Sequence, residues 1–117
     1  MKKIDVVVNY WKSEAAKDLE KILDNFSEDA SFTSPTMKLE GRDQIRRFYE
    51  GMVNGYRSIV VTPTHWIESG DEIAVEYDTD MLTREGEKRF ARGFNLFRIN
   101  AENRISLLKC YFNPNDF

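Results

Sequence analysis

Three acidic residues alternate along one stretch of the sequence, and a histidine lies shortly before them. Glu76, Asp78 and Asp80 are spaced two residues apart, so a strand would place all three on one face. His65 is the only histidine of the chain and could exchange a proton with such carboxylates. Three carboxylates cannot all stay charged in a dry pocket, because each raises the pKa of the others. The spacing therefore predicts acid–base chemistry if this face points into a cavity.

The same stretch also has an apolar face. Ile73, Val75 and Tyr77 alternate with the acidic residues. Periodicity favours the apolar side chains in the core and the acids in water, and a slip of one residue would exchange the two faces.

Two amphipathic helical segments precede these residues. From Val8 to Phe26, apolar residues recur at steps of three and four, and Asp18 could cap a second segment that begins at Leu19. A polar turn at 27–29 and a short strand at 30–33 follow, and Gly41 opens a helix with an apolar face between 43 and 54. Helices therefore dominate the first half of the chain.

The second half has the pattern of strands separated by turns that contain glycine or asparagine. The predicted strands are 58–68, 72–82, 88–99 and 105–112. Pro63 indicates an edge strand or a bulge in the first of them. Helices followed by a run of strands predict an α+β fold, with a curved antiparallel sheet around the N-terminal helices.

The strand 88–99 indicates where a cavity and an interface would lie. One face has Ala91, Gly93 and Asn95, and the small side chains would leave room for a pocket on the concave side. The other face has Phe90 and Phe94, which no remaining helix can cover. The pattern predicts an internal pocket on one side of the sheet and a partner subunit on the other.

Composition restricts the possible classes of function. A chain of 117 residues predicts a single domain, 1–117. A net charge of −3 and a pI near 5.2 argue against nucleic acid as a partner. One cysteine and one histidine make a zinc site improbable, and no stretch is apolar enough for a membrane span. We expect a cytoplasmic protein with no metal or other cofactor.

Three segments carry a resemblance to a known family. DNFSEDASFTSP, EGRDQIRRFY and GFNLFRINAENRISLLKCYF, in this order, resemble the NTF2-like superfamily, which includes SnoaL-like polyketide cyclases, ketosteroid isomerases and limonene-epoxide-hydrolase-like proteins. The resemblance covers nearly the whole chain from Val7. It implies a cone-shaped fold with a deep pocket, and a homodimer through the sheet.

The resemblance to ketosteroid isomerases assigns possible roles to four residues. Tyr10 takes the place of the oxyanion-hole tyrosine, Asn95 that of the protonated aspartic acid, and Phe48 that of a pocket phenylalanine. Ser34 stands where these enzymes have the aspartate base. A serine without a base of its own cannot remove a proton from carbon, so steroid-type isomerisation is not expected.

The resemblance to epoxide hydrolases concerns the last strands. Asp80 takes the place of one catalytic aspartate, Asp78 that of the arginine and Cys110 that of the second aspartate. Both resemblances turn Glu76, Asp78, Asp80, Asn95 and Cys110 inward. They therefore place Ile73, Val75 and Tyr77 on the convex face, beside Phe90, Phe94, Leu96 and Tyr111, where they would extend a dimer interface.

The sequence thus predicts an enzyme, such as an isomerase, cyclase or hydrolase, that acts on a small, mostly apolar, oxygen-bearing molecule. The alternatives are a non-catalytic ligand-binding protein and a dimeric interaction module. The predicted catalytic residues are Asp80, Asp78, His65, Tyr10 and Asn95. The predicted ligand-binding residues are Phe48, Met52, Glu76, Phe97, Leu108, Cys110, Phe112 and Ser34.

Overall fold

A computed structural model describes all 117 residues and contains three helices and six strands. The helices are α1 (Lys3–Ala15), α2 (Leu19–Asp24) and α3 (Gly41–Gly55). The strands are β1 (Phe26–Thr33), β2 (Lys38–Glu40), β3 (Tyr56–Ser69), β4 (Glu72–Thr83), β5 (Lys88–Ile99) and β6 (Ile105–Phe112). A short 3₁₀ turn, Pro114–Asp116, follows β6.

The strands form one open sheet in the order β2-β1-β6-β5-β4-β3. The predicted α+β cone is confirmed, but the sheet is mixed rather than wholly antiparallel, because β1 runs parallel to β6. No hairpin joins these two strands, so nothing in their connection requires an antiparallel pairing. None of the helices has the length and apolar composition needed to cross a bilayer.

The helices form where the sequence pattern predicts them, with shifted ends. The Asp18 side chain accepts a hydrogen bond from the Lys21 backbone N–H at 3.2 Å, which starts α2 as predicted. This helix ends at Asp24, and the polar residues 27–29, predicted as a turn, belong to β1. The pairing of β1 with β6 is irregular between Phe26 and Ser31, so these polar residues are accommodated in an uneven part of the strand.

The core lies between the helices and the concave face of the sheet. One side of α1 is buried, and its residues follow the three–four spacing of an amphipathic helix: Val6, Val7, Tyr10, Trp11 and Glu14. The Tyr10 ring packs edge-on against Phe26 and Phe97, with ring centroids 5.5 Å and 6.0 Å apart. These contacts hold the hydroxyl end of Tyr10 in a defined position.

The register of β4 corrects the predicted orientation of its acidic residues. Val75 lies opposite Asn95 on β5, and Asn95 lies opposite Cys110 on β6, so these three side chains share one face. Paired residues of neighbouring strands point to the same side, and Glu76 is paired with the exposed Phe94. Asn95 and Glu76 therefore cannot both point inward.

The alternation of apolar and acidic residues in β4 predicts its two faces correctly, whereas the family resemblance does not. Ile73, Val75 and Tyr77 are buried in the core and are not on the convex face, where the family resemblance placed them. Glu76 and Asp80 are exposed, and Asp78 is half-buried and forms an ion pair with Arg92 at 2.8 Å. The prediction that Glu76, Asp78 and Asp80 point into a pocket is wrong.

Gly93 also has a different role from the predicted one. A Cβ at this position would lie 2.5 Å from the backbone oxygen of Tyr111 and 3.0 Å from the Tyr77 hydroxyl. Glycine therefore allows the close approach of β6 and of the Tyr77 side chain, rather than leaving empty space. Ala91 packs with Ile59 and Met81 in a small second cluster.

Candidate small-molecule pocket

A cavity of about 510 Å³ opens between α1, α3 and the concave face of the sheet. This volume is in the range of pockets that enclose small organic ligands. Of its 22 lining residues, 15 are hydrophobic, so the walls suit a mostly apolar molecule. Phe112 and Phe117 lie near the C-terminus with their ring centroids 4.6 Å apart, and both contribute to the lining.

The structure brings seven of the predicted site residues into this cavity. They come from α1, from the segment after β1, and from α3, β5 and β6. The seven are Tyr10, Ser34, Phe48, Met52, Asn95, Cys110 and Phe112. Tyr10 and Asn95, which are far apart in the sequence, thus face the same space. Their convergence is the arrangement that the resemblance implied.

The other six predicted site residues lie elsewhere. Phe97 and Leu108 are fully buried in the core, outside the set that lines the cavity. Glu76, Asp78 and Asp80 are on the opposite face of the sheet. His65 is exposed beyond a register shift between Pro63 and His65, and it does not line the cavity.

Glu14 is a site residue that the sequence reasoning missed. It lies one helical turn after Tyr10 on the buried side of α1, it is only 7% exposed, and it lines the cavity. The Tyr49 hydroxyl, from α3, donates a hydrogen bond to Oε2 of Glu14 at 3.0 Å. The hydroxyl groups of Tyr10 and Tyr49 are also hydrogen-bonded to each other. Glu14, Tyr49 and Tyr10 therefore form a connected chain of polar groups.

A signal for Glu14 is present in the sequence. The residues Val7, Tyr10, Trp11 and Glu14 follow the spacing of one helix face, so Glu14 occupies a core position of an amphipathic helix. An acid at such a position is rarely buried without a partner. The acids of β4 are more numerous, but they lie on the outer face of the sheet, and the single acid in the apolar stripe of α1 is the unusual one.

Burial changes the ionisation of the groups in this pocket. Removal from water raises the pKa of Glu14 to about 7, although hydrogen bonds from Tyr10 and Tyr49 favour the charged form and oppose the rise. Burial and the nearby Glu14 carboxylate raise the pKa values of Tyr10 and Tyr49 well above normal. Among the side chains that line the cavity, Glu14 is the one that can gain or lose a proton near neutral pH.

Asn95 and Cys110 complete the polar part of the cavity. Asn95 is 4% exposed, and its Oδ1 atom has no hydrogen-bond partner. A buried amide oxygen without a partner is unfavourable, so a bound molecule with an O–H or N–H group would satisfy it. Burial raises the pKa of the Cys110 thiol, which therefore stays neutral.

The ionisable side chains of the lining have a simple charge pattern. Glu14 is the only carboxyl group among them, and no lysine, arginine or histidine is present. No group of three or more His, Cys, Asp or Glu residues is arranged to hold a metal ion. The cavity offers no positive charge to balance an anionic ligand, so its electrostatics favour an uncharged or cationic one.

The architecture is that of the cone-shaped NTF2-like fold. The sequence model of the SnoaL-like domain matches residues 7–108, and the chain belongs to this family. No curated protein matches the chain in sequence.

Several solved structures share the fold at low sequence identity. RV0760c from Mycobacterium tuberculosis, solved with estradiol-17β-hemisuccinate, is 20% identical, with a TM-score of 0.84 over 97% of this chain and 95% of that chain. SalBIII, an epoxide hydrolase/cyclase-like enzyme in pyran ring formation, is 18% identical, with a TM-score of 0.85 over 97% of this chain and 92% of that chain.

A hypothetical protein from Catenulispora acidiphila with a ketosteroid isomerase-like fold, solved with trimethylamine, is 15% identical, with a TM-score of 0.86 over 96% of this chain and 88% of that chain. Similarity at these identities establishes the fold and leaves the activity open.

The position of Glu14 predicts an unusual dependence of stability on pH. Its pKa rises from 4.5 in the unfolded chain to about 7 in the folded protein, so the native state binds the extra proton between these values. The contribution of Glu14 to the free energy of unfolding therefore falls as pH rises from 4.5 to 8, by roughly 3 kcal/mol at most. Urea unfolding of the native protein and of Glu14→Gln across this range measures the effect.

The difference between the two proteins isolates Glu14 from the other titrating groups. We expect Glu14→Gln to gain stability relative to the native protein as pH rises, because glutamine has no proton to lose. Glu76→Gln, on the exposed face of β4, serves as the matched control and should show no such gain. A constant difference between native protein and Glu14→Gln from pH 4.5 to 8 would contradict the assignment.

Proposed function

We propose that this protein is a cofactor-independent enzyme that acts on a small, mostly apolar molecule bearing a carbonyl or hydroxyl oxygen. Its chemistry is proton transfer to that oxygen, as in an isomerase, cyclase or hydrolase. The observation that supports this most is Glu14, a buried carboxyl group with a pKa of about 7 inside an aromatic cavity. A group with such a pKa is suited to give and take protons at neutral pH.

Each polar group of the cavity has a role in this proposal. The protonated Glu14 supplies a proton through Tyr49 and Tyr10 to the oxygen of the bound molecule. Asn95 accepts a hydrogen bond from a second polar group of that molecule, which satisfies its unpartnered Oδ1. The mostly apolar walls strengthen these interactions.

The chemistry differs from that of a ketosteroid isomerase. Ser34 lines the cavity and hydrogen-bonds to the neighbouring Thr36, with an Oγ–Oγ1 distance of 3.4 Å, and no base is hydrogen-bonded to it. A serine in this setting does not remove a proton from carbon. The carboxyl group of this pocket instead comes from α1, beside the tyrosine that would hold the ligand oxygen.

The same pocket would also serve a non-catalytic binding protein. The bound estradiol derivative in the Mycobacterium relative supports an apolar, oxygen-bearing ligand under either proposal. The two are distinguished by whether a bound ketone exchanges its carbon-bound hydrogens faster than in free solution.

The enolisation of 2-tetralone in D₂O is a direct test of acid catalysis in the pocket. Donation of a proton to the carbonyl oxygen allows water to remove a hydrogen from the adjacent carbon, and deuterium then returns to that carbon. We expect the protein to accelerate deuterium incorporation, measured by ¹H NMR, and Glu14→Gln to lose about a hundredfold or more of the acceleration.

Glu76→Gln is again the matched control, because Glu76 lies on the opposite face of the sheet. It should retain the native rate. If Glu14→Gln were as fast as the native protein, Glu14 would not be the proton donor. If the native protein bound 2-tetralone without acceleration, the non-catalytic alternative would be favoured.

We further propose that the protein forms a homodimer through the convex face of the sheet. Phe94 and Tyr111 stack there with ring centroids 4.8 Å apart, and both are exposed, as is Phe90. Asp78 is paired with Arg92, so its charge does not prevent the burial of this face. An exposed apolar patch on the convex face of the sheet suits an isologous contact with a second copy.

Phe94→Asp should convert the dimer to a monomer, because it would bury an unpaired charge at the centre of the contact. Light scattering at micromolar concentration measures the mass, and Ala101→Asp, in the exposed turn before β6, controls for the added charge. A native mass equal to one chain of 13.7 kDa would contradict the dimer.

A further inference from the structure

The hydrogen-bond chain of the pocket can run in two directions. It contains Glu14, Tyr49 and Tyr10, joined by the Tyr49–Glu14 and Tyr10–Tyr49 hydrogen bonds, and each tyrosine has a single hydroxyl hydrogen to donate. The direction in which these hydrogens point depends on whether the carboxyl end of the chain carries a proton. The other end of the chain, Tyr10, comes from α1 and lines the cavity.

With Glu14 ionised, the chain presents no hydrogen to a ligand. A carboxylate only accepts hydrogen bonds, so Tyr49 donates to Glu14, and Tyr10 donates to Tyr49 or to the nearby Glu14 carboxylate. Both hydroxyl hydrogens are then used within the chain. The Tyr10 oxygen can still accept a hydrogen bond, and the unpartnered Asn95 Oδ1 is an acceptor as well.

With Glu14 protonated, the chain can reverse. The carboxylic acid has an O–H group that can donate to Tyr49, which leaves the Tyr49 hydrogen for Tyr10 and the Tyr10 hydrogen for a ligand. A carbonyl oxygen bound beside Tyr10 would then receive a hydrogen bond that it cannot receive from the ionised chain. The same three residues therefore offer two different recognition patterns.

We propose that Glu14 is a positioning residue that sets the direction of the tyrosine chain, so that the pocket prefers carbonyl ligands when Glu14 is protonated and loses this preference when it is ionised. This inference rests on the proposed function of the pocket and deepens it. It identifies the ligand class as uncharged molecules with a hydrogen-bond acceptor, and it identifies pH as a control of their binding.

The groups that face Glu14 do not compete with this switch. They are Tyr10 on α1, Tyr49 on α3, Tyr77 on β4 and Cys110 on β6, and burial raises the pKa of each. All four stay neutral from pH 5 to pH 8.5. Because burial brings the pKa of Glu14 to about 7, the change of direction falls within this range.

Two naphthalene probes isolate the hydrogen bond from the apolar contacts. 2-Acetylnaphthalene has a carbonyl acceptor, 2-ethylnaphthalene has none, and neither ionises. The ratio of their affinities, measured by fluorescence from pH 5 to 8.5, reports the hydrogen bond to the carbonyl. We expect the ketone to bind about three- to tenfold more tightly than the hydrocarbon at pH 5 and to lose this advantage above pH 8.

Two variants separate the switch from a general effect of pH. Glu14→Gln should keep the ketone advantage at every pH, because the glutamine amide can always donate to Tyr49. Tyr10→Phe should lose most of the advantage at every pH, because the donating hydroxyl is absent. A role of Glu14 in folding alone would alter the affinity of both probes equally.

The outcomes distinguish this inference from the proposed function. If both probes bind and the native protein shows a ketone advantage that is constant from pH 5 to 8.5, the proposed switch is contradicted. The proposal of a pocket for apolar ligands is then unaffected. If Glu14→Gln shows the same pH dependence as the native protein, another group causes it and the inference is also wrong. If neither probe binds, both the inference and the proposed apolar ligand are contradicted.

Discussion

The burial of the Glu14 carboxyl group is the constraint on which the character of this pocket depends. An ionised carboxylate in an apolar cavity is strongly unfavourable unless hydrogen bonds or an opposite charge compensate for lost hydration. No basic side chain lines the cavity, and the compensation comes from the hydroxyl of Tyr49 and its partner Tyr10. The balance between burial and these hydrogen bonds places the ionisation of Glu14 near neutral pH.

The fold keeps these three groups together through ordinary packing. Tyr10 and Glu14 are four residues apart on α1, so one helix face delivers both to the cavity. Tyr49 comes from α3, and its ring packs edge-on against Tyr10 with centroids 6.3 Å apart. On the sheet side, the Trp11 ring packs against the Tyr77 ring with centroids 5.4 Å apart, which fixes α1 over β4. Displacement of either helix would leave the carboxyl group without its donors.

The sequence predicted the architecture well because that information is local and repeated. Hydrophobic steps of three and four define α1 and α3, and the turn residues separate β3 to β6. It also predicted that Tyr10 and Asn95 would meet in one cavity, which followed from the family resemblance. The predicted inward orientation of Glu76, Asp78 and Asp80 failed because strand pairing couples the faces of β4 and β5, and a distant resemblance cannot fix a register to one residue.

The place of Glu14 in the site is harder to predict from the sequence than the architecture is. Its position in the apolar stripe of α1 was visible, but its partner Tyr49 is 35 residues away and only the packing of α1 against α3 shows the contact. The pKa of the carboxyl group depends on this contact and on the loss of water around it, and both are properties of the folded chain.

The most direct test of this account is the pKa of the Glu14 side chain in the folded protein. A ¹³C NMR titration of the glutamate carboxyl carbons, with the Glu14 resonance assigned from Glu14→Gln, measures it without any ligand. The account predicts ionisation at about pH 7. A value near 4.5, the normal value for glutamate, would show that the carboxyl group is solvated and would contradict the proposed role of the pocket.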